Sequence, residues 1–82
     1  MIAQCKLEIK WNGTPVMRAE CSRVMAYQVL VMLLGEFVNA EKAGLTVPSL
    51  SKVYNAFTGE VFTGKGDDGT GRCEYVLEIL PG

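Results

Sequence analysis

The chain has 82 residues, 49% hydrophobic and 21% charged, with eight Lys plus Arg against nine Asp plus Glu. That length predicts one domain (1–82), too apolar for disorder. A formal charge of −1 argues against a dedicated duplex-DNA binder, which carries a basic excess. With no histidine, every Ser-His or Cys-His catalytic pair and every His-containing zinc site is excluded.

Residues 3–11 alternate apolar and polar without exception, the pattern of a strand with one face on a core and one in water. Asn12-Gly13 is a hairpin turn signal, and Met17, Ala19 and Cys21 continue the apolar phase beyond it. A two-residue Asn12-Gly13 loop would set Leu7 opposite Arg18 and bring charges onto the apolar face, so that register is rejected. Two registers keep the faces matched. Taking residues 11–13 as the loop suits the turn chemistry but places Lys6 opposite Arg18. Taking residues 12–14 pairs Glu8 with Arg18, Lys6 with Glu20 and Cys5 with Cys21. Both remain open.

Ser22 is suited to cap a helix running to about Ala43, where Gly44 supplies a left-handed stop. Such a helix would be roughly 33 Å long. At 100° per residue, Ala26, Tyr27, Leu30, Leu33, Leu34, Phe37 and Val38 share one broad apolar face, while Gln28, Gly35, Asn39 and Lys42 mark the other. Met25 and Met32 fall on that second side, one heptad apart, flanked by Val24 and Val31. A helix apolar nearly all round is expected to be covered nearly all round. Pro48 prevents continuation, and Ser49 is placed to cap a short second helix with Leu50, Val53, Tyr54 and Phe57 on one stripe. Residues 60–63 suggest a short strand, 64–71 a loop, and 72–80 a last strand with Cys73, Tyr75, Leu77 and Ile79 on one face.

The expected architecture is therefore α+β: an antiparallel sheet of about four strands in two hairpins, one long helix on one face and a short second helix, in the order β-β-α-α-β-β. Cys5, Cys21 and Cys73 are expected as buried free thiols of a cytoplasmic protein, since neither their number nor their spacing suits zinc. No apolar stretch reaches the roughly 20 residues that a membrane span requires.

Chemistry-bearing signals are few. The run from Gly64 to Gly71 contains a G-x-G-x-x-G, but a strand follows it instead of a helix, and Asp67 and Asp68 would repel phosphate. Those two aspartates lack the alternate spacing and closing glutamate of an EF-hand loop. Glu8, Glu20, Glu74 and Glu78 lie on the polar phase of strands, where a solvated face is expected. No catalytic residue, metal or cofactor is expected.

Two partner classes are carried forward. The first is another protein surface, most simply a second copy across a two-fold axis, met by Met25, Gln28, Met32, Gly35 and Asn39 on the helix. Trp11 and the Asp67–Asp68 loop are further expected contact points. The rival to this reading has the second helix folded over Met25 and Met32. The other partner class is single-stranded nucleic acid, bound by Lys6, Lys10 and Arg18 with Trp11 stacking on a base, against the counter-charge of Glu8 and Glu20. In general character the chain resembles small accessory proteins of phages and mobile elements, some of which inhibit host defence complexes. That likeness implies a non-catalytic inhibitor acting by occupying a surface.

Overall fold

A computed structural model describes residues 3–37, 44–67 and 69–81, with 33–37 as helical backbone. Strands β1 (Cys5–Trp11) and β2 (Thr14–Cys21) precede helix α1 (Arg23–Phe37) and the short helix α2 (Leu50–Tyr54). Strands β3 (Val61–Asp67) and β4 (Arg72–Ile79) follow. The four strands form one antiparallel sheet in the order β2-β1-β4-β3, so the first strand of one hairpin and the last of the other are the central pair.

The alternation in β1 and β4 builds the core directly. Cys5, Leu7, Ile9, Cys73, Tyr75, Leu77 and Ile79 point to one face and are buried. Ala26 and Leu30 of α1 close over them, with Val53 and Ala56 from the α2 region and Leu45 from the linker. The other face of the sheet carries Lys6, Glu8, Lys10, Glu74, Val76 and Glu78, and among the described residues no helix lies on it. Ser22 caps α1 as expected, its hydroxyl accepting from the Met25 amide at 3.2 Å, and Ser49 caps α2 in the same way through Lys52 at 3.2 Å. The proposed end of the long helix, residues 38–43, lies outside the described residues.

The first hairpin corrects the sequence reading. The loop is the two-residue Asn12-Gly13 turn, with φ of 52° and 85°, both positive as that turn type requires. It closes on the pair Trp11–Thr14. Yet the body of the hairpin keeps the charge-matched register, Glu8 with Arg18, Lys6 with Glu20 and Cys5 with Cys21. A bulge reconciles the two. Ile9 pairs with Met17 but Lys10 with Pro15, so Val16 is an extra residue that restores the phase. Rejecting the two-residue loop treated β2 as uninterrupted. Pro15 beside the bulge is tolerated because β2 is an edge strand.

The second hairpin also differs. β3 runs on through Gly64, Lys65 and Gly66 to Asp67, so the first half of the expected loop is strand. Gly64 and Gly71 lack side chains for a packing reason. A Cβ on Gly64 would run into the Tyr75 ring, and one on Gly71 into the Trp11 ring. The large residue of each pair sits on a neighbouring strand and fills the space, so glycine here marks an aromatic neighbour and not a turn. The second helix is shorter than its apolar stripe suggests. It ends at Tyr54 with Asn55 as cap, which leaves Ala56 buried and Phe57 outside it, 82% exposed.

Candidate functional site

Over residues 23–32, helix α1 has two apolar faces, and the described residues cover one of them. Ala26 and Leu30 are buried, and Tyr27 and Val29 pack against the core from its flanks. Diametrically opposite, Val24 (41%), Met25 (50%), Val31 (44%) and Met32 (65%) stand exposed. At 100° per residue these four span an arc of about 120° with Gln28 near its middle. No charged side chain interrupts the arc between Val24 and Met32. Gly35 lies in the same helix, three residues on from Met32, and Asn39 lies outside the described residues.

The second helix does not fold over this stripe, so the rival reading is corrected. Arg23, in the first turn of α1, sets the position of α2. Its Nη1 donates to the carbonyls of Tyr54 (2.8 Å) and Ala56 (2.6 Å), with Val53 at 3.4 Å. These carbonyls lie at the negative end of α2, where a cation is favoured. The hold turns Val53 into the core and leaves Leu50, Tyr54 and Phe57 exposed. Sequence reading gave Arg23 no role, although a signal was present: a cation in the first turn of a helix opposes that helix's own dipole. Such a residue has reason to be engaged elsewhere.

The expected contact points outside the helix fare differently. Trp11 does not project from the hairpin tip. It stands opposite Cys73, half-buried against the core and over Gly71. Asp67 is exposed at the end of β3, where its carboxylate accepts from the Gly69 amide at 2.8 Å and shapes the turn. Asp68 lies outside the described residues.

The polar face of the sheet is largely neutralised. Glu8 accepts from Arg18 Nε at 2.7 Å and stands 3.6 Å from Lys10 Nζ. Desolvation pushes the Glu8 carboxyl up, but the adjacent Arg18 guanidinium and Lys10 ammonium outweigh it and hold the group below its ordinary value. Two of the three cations proposed for nucleic acid therefore already face a carboxylate, and Trp11 belongs to the opposite face of the sheet. The thiols of Cys5 and Cys21 are opposite one another across the β1–β2 pair, both free and both pushed above the ordinary thiol range by burial. Among the described residues no cluster of three acidic or sulfur ligands is placed to hold a metal, and no helix is long and apolar enough to cross a membrane.

Comparison with known protein families, with curated proteins and with solved structures gives no match.

Proposed function

We propose that the protein is a non-catalytic interaction module that lays the outer face of α1 against a second protein surface, in the minimal case that of its own copy across a two-fold axis. The observation that carries this reading is the stripe Val24, Met25, Val31 and Met32, exposed together and left uncovered by α2. Contiguous exposed apolar surface on a small domain marks a contact site. Two-fold pairing sets a patch against itself, so like charges would meet; this arc carries none between Val24 and Met32. The unbranched, polarisable methionines suit a surface that must adapt to its partner. Occupation of a host complex by the same face is this reading with a different occupant.

Met32→Glu tests it. Removing a well-exposed methionine from a contact forfeits about 1–2 kcal/mol of apolar burial, and a desolvated carboxylate adds to that loss. The dissociation constant should therefore rise at least about tenfold. Light scattering behind size exclusion at tens of micromolar should show the wild type as a dimer and the variant as a monomer, with the same circular-dichroism spectrum and a wild-type urea midpoint that alone rises with protein concentration. A wild-type monomer, or a variant that dimerises unchanged, would refute self-association through α1.

A further inference from the structure

The two edges of the sheet are not equivalent. β2 carries Pro15 and a bulge at Val16, both devices that discourage another strand from pairing there. β3 has neither: it runs from Val61 to Asp67 in regular register with β4, without proline and without a shift. Ile79 donates to the Glu60 carbonyl at 2.9 Å. By the two-residue period of an antiparallel ladder, Phe62, Gly64 and Gly66 then turn their backbone groups toward β4. Val61, Thr63 and Lys65 turn theirs outward, where no described strand pairs with them.

Beside this edge, on the core side of the sheet, runs a groove. Its wall is the linker and the start of α2, with Val47, Pro48 and Lys52, and its floor is Phe62 and the ring of Tyr75. The Tyr75 hydroxyl donates to the Thr46 carbonyl at 2.5 Å and ties the linker alongside β3. Because Gly64 has no side chain, the linker can lie close to the strand. The charges are complementary to an acid. Among the described residues neither Lys52 nor Lys65 has an ion-pair partner, and Glu74, opposite Lys65 on β4, is 3.7 Å from Arg72 instead. Glu60 and Asp67 stand at the two ends of the edge, and Lys65 is the charged residue of the strand between them.

We infer that β3 and this groove form a second binding site, which accepts an extended acidic peptide segment of another protein as a fifth strand. The peptide backbone pairs with Val61, Thr63 and Lys65. An apolar side chain enters the groove over Phe62, and the carboxylate of the next residue, on the other face of the sheet, meets Lys65. Backbone pairing supplies the affinity, and the groove and Lys65 supply the selectivity. A second copy of β3 fits poorly, since it would bring its own Lys65 to the same short edge. A lone lysine on an edge discourages neutral and basic strands while favouring an acidic one.

The test uses the full chain carrying Met32→Glu, which keeps contacts through α1 out of the readout. The probes are a short peptide alternating valine and glutamate and its valine–lysine counterpart, followed by amide NMR. The acidic peptide should shift and protect the amides of Val61, Thr63 and Lys65, and the basic peptide should not. Thr63→Pro removes an outward donor while sparing the bonds to β4, and it should weaken binding about tenfold or more. Lys65→Glu should weaken the acidic peptide and admit the basic one, which keeps the test decisive if the proline variant does not fold. Edge amides unmoved by the acidic peptide, or moved equally by both peptides, would overturn the proposal. So would edge amides already protected in the free protein as its concentration rises, because a second copy would then hold the edge.

Discussion

Gly64→Ala is the smallest change that probes how β3 is held. Gly64 has no positive φ, so the substitution introduces no backbone strain of the left-handed kind. In open space alanine would stabilise by about 0.4–1 kcal/mol through a less flexible unfolded chain. Here, however, the added methyl would lie 2.9 Å from Tyr75 Cζ, closer still to the ring edge, and 3.0 Å from the Thr46 carbonyl oxygen. Neither neighbour can yield easily, because the ring is buried and its hydroxyl is bonded to that same carbonyl. Over-packing of this kind costs about 1–3 kcal/mol, and displacing the ring forfeits a hydrogen bond of about 1 kcal/mol. The net expectation is a destabilisation of about 1.5–2.5 kcal/mol. With a urea slope near 1 kcal/mol per molar for so small a domain, the midpoint should fall by about 1.5–2.5 M at unchanged slope. The clash is separable from strand propensity by a double-mutant cycle. In a Tyr75→Leu background, where the ring is gone, Gly64→Ala should be neutral or stabilising. A single variant as stable as wild type, or an equal loss in both backgrounds, would refute the packing account of this glycine.

Two further outcomes concern the arginine contacts of α1 and of the first hairpin. Arg23→Met removes the bonds to the Tyr54 and Ala56 carbonyls, and in this partly exposed setting should cost about 1.5–3 kcal/mol in urea unfolding. Arg23→Lys should recover part of that, whereas a loss in Arg23→Met below about 0.5 kcal/mol would mean that α2 is positioned by Val53 alone. Glu8 has its carboxyl held below its ordinary value in the folded state, so the stability it contributes is present above the unfolded carboxylate pKa. That stability is lost as the pH falls through the lower, folded value. Glu8→Gln should therefore flatten the acid limb of a plot of urea midpoint against pH, and an identical acid limb in both proteins would show that the Arg18 pair contributes nothing.

What the chain discloses before folding depends on whether a signal is local. Alternation in β1 and β4 is local, and it identifies every buried residue of both central strands, because each side chain's face follows from the two-residue period. The stripe of Met25 and Met32 is local in the same way, through the helical period. The α2 stripe misled because Phe57 satisfies the spacing while the helix stops three residues earlier, at Tyr54. Gly64 and Gly71 misled because turn-forming glycine and glycine beneath an aromatic ring look alike in one dimension. The ring that decides the matter for Gly64, Tyr75, is eleven positions away. The first hairpin held two correct local signals, the Asn12-Gly13 turn and the charge-matched register, that conflict unless one residue is bulged out. Nothing in residues 14–17 except Pro15 marks where.

The placement of apolar residues links these observations to function. A small domain has little core in which to hide large side chains, and here the core face of the sheet is taken up by α1, α2 and the linker. Gln28, the polar residue near the middle of the outer arc of α1, leaves Val24, Met25, Val31 and Met32 as a ring around an uncharged centre. The arrangement resembles a contact patch, apolar with one hydrogen-bonding group, more than it does the solvated side of a helix. The solvated side of this protein is the far face of the sheet, where Lys6, Glu8, Lys10, Glu74 and Glu78 lie. Charge is thus concentrated on the face without helices and absent from the described outer arc of α1. Replacing Gln28 by lysine would break that division with little change in helix propensity, and association through α1 should weaken while the fold stays intact. Unchanged association in that variant would place the contact elsewhere on the molecule.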